Sequence, residues 1–291
     1  MRATAKFFSL TYVITWSALY FVMRGAHRSE AIMLLGTFAP ALVAIGLTYR
    51  AEGHAGVAAL LKRMLIWDVP ARWYVFALAF MPAIKLLVAL IIRIGYGAWP
   101  RFGTDSWDVI VLATIVSTIP QAGEEIGWRG YALPRLAARL GAGPASIVLG
   151  VVWAAWHLPW FFVQGADKSG QSFPVFTLQV TAISVLVAWV YFRTGGSVLL
   201  TMLMHSASNQ SIGIVPSTVE GATPLGNEQF ASCVAHGGVA VVPGRVLPRA
   251  HATAGPARAA EPRLKVGRSG LQVSLRNAST GLSLAARRAG R

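Results

Sequence analysis

The chain has 291 residues, 55% of them hydrophobic and only 13% charged, with a mean hydropathy of +0.54. A soluble domain carries about 25% charged residues, so the composition excludes an ordinary soluble domain and points to a membrane protein. Of the formal charge of +15, +8 comes from residue 221 onward, where ten Lys and Arg stand against two acidic residues; the rest lies mostly between apolar runs, so no nucleic-acid partner is expected.

Cys233 is the lone cysteine, which excludes an intramolecular disulfide framework and a Cys-rich zinc site.

Seven apolar runs approach the roughly 20 residues that cross a bilayer as a helix. They cover about 7–23, 31–49, 73–92, 108 into 123–130, 145–163, 173–192 and 197–215. The first is long for a signal-peptide core and lacks a clear small-residue cleavage site, so it is expected to be a retained helix. The segment 57–69 mixes Lys62 and Arg63 with Leu, Ile and Trp and reads as interfacial. Trp73, Tyr74, Trp99, Trp160 and Tyr191 at run ends fit aromatic belts.

Orientation follows from positive charge. With the N-terminus in the cytoplasm, Arg2, Lys6, Arg50, Lys62, Arg63, Arg72, Arg135, Arg139 and Arg193 lie inside, and Arg24, Arg28, Arg101 and Lys168 lie outside. This arrangement places Glu124 toward the cytoplasmic end of the fourth helix. From about 221 to 291 the chain is rich in Ala, Gly, Pro and Arg and contains no run able to span. A disordered basic tail is expected, distinct from the membrane domain of residues 1–220.

Polar clusters interrupt the apolar runs. In Glu124-Glu125-x-x-x-Arg129, helical geometry puts Glu125 and Arg129 on one face, with Glu124 rotated about 100° away. One carboxylate can pair with the arginine while its neighbour points elsewhere. The same residues also read as a charged helix end. Trp153 and His157 share a face, and Pro159 breaks or kinks the helix just beyond. His157 reads either as a packing residue or as a metal ligand or proton carrier. His205 and Asn209 lie one turn apart, spaced to grip one ion or one water, or to hold helices together. Lys85, two turns before Arg93, reads as an ion-pair partner or a snorkelling side chain. Together these groups carry the inventory of a hydrolytic site, because a membrane holds Glu, His and Asn cheaply only where they satisfy one another or an ion. HExxH and GxSxG are both absent.

The ordered series Glu124-Glu125-x-x-x-Arg129, aromatic-x-x-x-His157 and His205-x-x-x-Asn209 resembles the CPBP (Abi) family of CAAX-prenyl-endopeptidase and bacteriocin-processing intramembrane proteases, over roughly 105–215. The resemblance implies an all-α polytopic bundle of about eight helices, with Glu124 activating water and His157 helping. It implies Glu125 and Arg129 as a supporting pair, and His205 and Asn209 as metal ligands or oxyanion stabilisers. Zinc held by Glu124, His157, His205 and Asn209 and a metal-free glutamate mechanism both stay open.

Two departures stand out. Trp153 replaces the usual Phe. A basic Ala/Pro-rich sequence replaces the final hydrophobic helix and reads like an out-of-frame translation of a GC-rich gene. The implied partners are the bilayer and a peptide or membrane-protein substrate; the implied location is the inner (plasma) membrane of a bacterium. Bacteria generally lack prenylated proteins, which argues for a substrate other than a CAAX protein. The rival reading is a non-catalytic transporter, immunity-like factor or pseudoenzyme that uses the same polar core.

Overall fold

A computed structural model describes residues 2–24, 30–100, 102–162, 168, 171–215, 274–276 and 283–285. In hydrocarbon each backbone N–H and C=O must find a partner within the protein, so apolar runs become helices. They are α1 (Arg2–Met23), α2 (Glu30–Lys62), α3 (Ala71–Tyr96), α4 (Trp107–Glu125), α5 (Leu133–Leu140), α6 (Ala142–Trp156), α7 (Phe173–Arg193) and α8 (Val198–Gln210). A π-helical stretch, Ile126–Ala132, joins α4 to α5 without interruption. Two three-residue strands, β1 (Ser274–Arg276) and β2 (Ser283–Ala285), pair antiparallel. The rest of the expected disordered tail lies outside the described residues.

Surface polarity is inverted relative to a soluble protein. Ile94, Ile119 and Leu178 are 76%, 71% and 73% exposed, whereas Glu124, Glu125 and Arg129 have no exposed surface. Among the described residues, six helical segments are long and apolar enough to cross a membrane: 2–23, 31–65, 71–96, 107–140, 142–162 and 173–193.

Three details refine or correct the sequence expectations. The first six residues of segment 57–69 continue α2, which bends at Gly53 (φ 65°, ψ −160°), a left-handed conformation that glycine adopts without a Cβ penalty, and a 3-10 turn, Arg63–Leu65, follows. The seventh run forms α8, whose 13 residues rise only about 20 Å, short of a full crossing. A 3-10 turn, Ser211–Gly213, follows it. Finally, the fourth segment does not stop with α4: it continues through the π-helical stretch to Leu140, so Glu124, next to last in α4, stands near the midpoint of a 34-residue segment.

The glycines of "GEEIG" set the packing of this segment. A Cβ on Gly123 would lie 2.9 Å from the Phe38 ring, and one on Gly127 would lie 2.7 Å from the Pro40 carbonyl oxygen. Small residues four apart let α2 approach along this side, as at other close helix crossings in membranes. The adjacent carboxylates are left to turn toward α6 and α8.

Polar contacts secure α8 in the interior. Ser197 caps its start by accepting from the Leu200 N–H (3.2 Å), and its hydroxyl donates to the Ile66 carbonyl (2.7 Å). Ser206 donates to the Thr114 carbonyl of α4 (2.5 Å) and contacts Ser117, to which Gln210 donates (3.2 Å). The seam fixes the rotation of α8 against α4, and so the direction in which His205 emerges.

Candidate active site

Glu125 ends α4, and Arg129 follows one turn later in the π-helical stretch. Arg129 Nη1 donates to Glu125 Oε1 across 2.7 Å. His205 Nδ1 lies 2.9 Å from the same oxygen, so α8 is tied to the carboxylate as well. The predicted Glu125–Arg129 pair is therefore present, and it includes His205. π-helical insertions are frequent at functional sites, where they re-aim side chains without ending the helix.

Glu124 takes no part in that pair. Its Oε2 accepts from the indole Nε1–H of Trp153 on α6 (2.8 Å), and its Oε1 is buried without a hydrogen-bond partner. The Trp153 ring also lies under the Arg129 guanidinium, 4.3 Å from Cζ to centroid. It meets the His205 ring edge-on at 5.1 Å and 83°. One indole thus touches residues from three segments of the site.

His157 caps the C-terminus of α6, and its Nδ1 lies 2.8 Å from the Trp153 carbonyl. A carbonyl only accepts, so Nδ1 carries the proton and the neutral ring presents Nε2 as a lone pair. The same reasoning applies to His205 on an ionised Glu125. A hydrogen bond at one imidazole nitrogen sets the role of the other, and here both rings present Nε2 as acceptor, base or ligand. The rings of Trp156, Trp160 and Phe176 surround His157 at 4.7, 5.7 and 5.3 Å.

Asn209 follows His205 by one turn, but its Nδ2 is buried and makes no hydrogen bond. Helical register alone associates it with the other groups. Among the described residues, no three His, Cys, Asp or Glu side chains are grouped to hold a metal ion. The His, Cys, Asp and Glu side chains as placed do not form a zinc site.

Sequence reasoning missed the part played by Trp153 and the setting of several other polar residues. Trp153 was read as an aromatic stand-in, yet its N–H holds Glu124. Gln121, on α4 one turn before the carboxylates, is 1% exposed with Oε1 unpartnered; a Gln at this spacing inside an apolar run was the available signal. Lys168, counted among outside charges, is buried, with Nζ 5.3 Å from the Phe176 ring. Lys85 donates to the Val215 carbonyl (2.9 Å). A cavity of about 290 Å³ between α3, α4 and α8, lined by Leu78, Pro82, Ile110, Ala207 and Ser211 among others, includes none of the candidate residues in its walls.

Membrane-length helices around a buried Glu–Arg–His cluster define a polytopic membrane protein with an ionisable intramembrane site. The family described as "Type II CAAX prenyl endopeptidase Rce1-like" matches residues 106–211, a span that holds all six candidate residues. A relative, "CAAX prenyl protease 2" of Methanococcus maripaludis, is 25% identical over 222 residues, covering 69% of this chain and 79% of the relative. Both similarities support the CPBP family of membrane endopeptidases for this chain.

Proposed function

We propose that the protein hydrolyses a peptide bond of a membrane-associated or lipidated peptide, using water activated by Glu124. One observation carries this reading: of two adjacent buried carboxylates, Glu125 is held by Arg129 and His205, whereas Glu124 takes only the neutral Trp153 indole N–H; each keeps its second oxygen without a hydrogen-bond partner. A buried polar atom left unpaired costs about 1–3 kcal/mol. Retention within a membrane segment of a carboxylate held by no arginine or histidine fits a group kept for chemistry.

In this reading Glu124 Oε1 takes a proton from water, and the hydroxide attacks the scissile carbonyl. The Nε2 lone pair of His157 accepts the second hydrogen of the water and orients it. The Asn209 amide is the donor for the developing oxyanion, and His205 joins it when both of its nitrogens carry hydrogen. Protonated Glu124 then delivers its proton to the leaving amine.

The relative's name pairs proteolysis with a prenylated substrate. For this chain we infer a peptide carrying a lipid or a membrane segment, cleaved in the plasma membrane of a bacterium with the N-terminus inside. Glu124→Gln, purified in detergent, is expected to lose about 10²–10⁴-fold in cleavage of a lipid-anchored fluorogenic peptide while it still inserts and folds. Undiminished cleavage rules out the assignment. Solute or ion flux in liposomes without peptide cleavage by the wild-type protein supports the transporter reading instead.

A further inference from the structure

We propose that Trp153 is a positioning residue for Glu124, acting through its indole N–H rather than through its bulk; the proposal rests on Glu124 being the base. Three parts of Trp153 contact the site separately. The ring face carries Arg129 at 4.3 Å, the backbone carbonyl accepts from His157 Nδ1 at 2.8 Å, and Nε1 donates to Glu124 Oε2 at 2.8 Å. Phenylalanine supplies the first two and cannot supply the third.

The third contact decides how Glu124 presents itself. A carboxylate has two equivalent oxygens and rotates about its terminal bond. Arg129 and His205 hold Glu125 and make no hydrogen bond to Glu124. The indole N–H breaks the equivalence: Oε2 is occupied, and Oε1 alone is left for water. Trp153 is 3% exposed, so bulk water does not compete for this bond. Because its face also stacks on Arg129, the same ring sets the spacing between the reactive and the structural carboxylate.

The test uses the full chain in detergent micelles. Trp153→Phe is expected to lose about tenfold in kcat, the size of one hydrogen bond to a charged group, with KM within about twofold and thermal stability close to wild type. Independently of turnover, the protein has ten tryptophans whose ¹⁵N indole signals can be counted. The signal that Trp153→Phe removes is expected to shift in Glu124→Leu, which removes the acceptor. Wild-type kcat in Trp153→Phe, or an indole signal that does not move in Glu124→Leu, overturns the proposal. The indole measurement stands even where Trp153→Phe is too unstable for kinetics, since the wild type and Glu124→Leu can be compared directly. Failure of Glu124 as base is told apart by its own sign, full cleavage in Glu124→Gln.

Discussion

Arg129 Nη1 donates to Glu125 Oε1 across 2.7 Å, with neither side chain exposed. Removing one member of a buried pair leaves an uncompensated charge, which costs about 3–5 kcal/mol. Arg129→Met is therefore expected to lower the thermal midpoint sharply in detergent. Glu125→Leu combined with Arg129→Met is expected to recover part of the loss. Equal midpoints for Arg129→Met and wild type show that the pair does not hold the fold.

Asn209 has a buried amide N–H without a partner. A donor reserved for an oxyanion is needed in the transition state more than in the ground state. Asn209→Ala is expected to lower kcat by about 10²–10³-fold with little change in KM or midpoint, read by steady-state cleavage. A large loss of stability with an unchanged kcat in the folded fraction marks Asn209 as packing instead.

Gly127 meets the backbone of Pro40, where an added Cβ falls 2.7 Å from its carbonyl oxygen. Backbone cannot swing aside, so Gly127→Ala is expected to cost about 1–3 kcal/mol through overpacking. It should also reduce activity by displacing the carboxylates two and three residues earlier. Gly46→Ala is the control: nothing lies within 4 Å of that site, so stability should hold or rise. Paired unfolding curves decide between them.

No three His, Cys, Asp or Glu side chains among the described residues are grouped at a common centre. Cleavage is expected to persist within about twofold after chelation and dialysis, with metal well below one ion per chain by elemental analysis. Activity lost on chelation and restored by zinc replaces the glutamate-only reading, with the Nε2 atoms of His157 and His205 as the first ligands to test.

Much of this site was legible along the chain because it is built from local spacings. Glu125 and Arg129 are four apart, and that spacing alone predicts their contact across one helical turn. The cost of charge in hydrocarbon picked out Glu124, His157 and His205 before any fold was known. The role of Trp153 was not legible: its hydrogen bond crosses from α6 to α4, 29 residues away, and depends on how the two helices are rotated. His205 joining Glu125 spans 80 residues and depends on the α4–α8 serine seam. The interior position of α8 was hidden for the same reason, since hydropathy reports how apolar a run is but not what surrounds it.

By itself the sequence determined a helical membrane chain, because hydrocarbon permits little else for long apolar runs. It also determined which ionisable residues stand where charge is expensive. Only the tertiary structure decided which carboxylate is held by Arg129 and His205 and which takes only the Trp153 indole N–H. That choice depends on two glycines that bring α2 against one side of the helix, and on an indole and an imidazole that reach the other side from α6 and α8. Contacts between helices far apart in sequence follow from packing geometry, which no local spacing encodes.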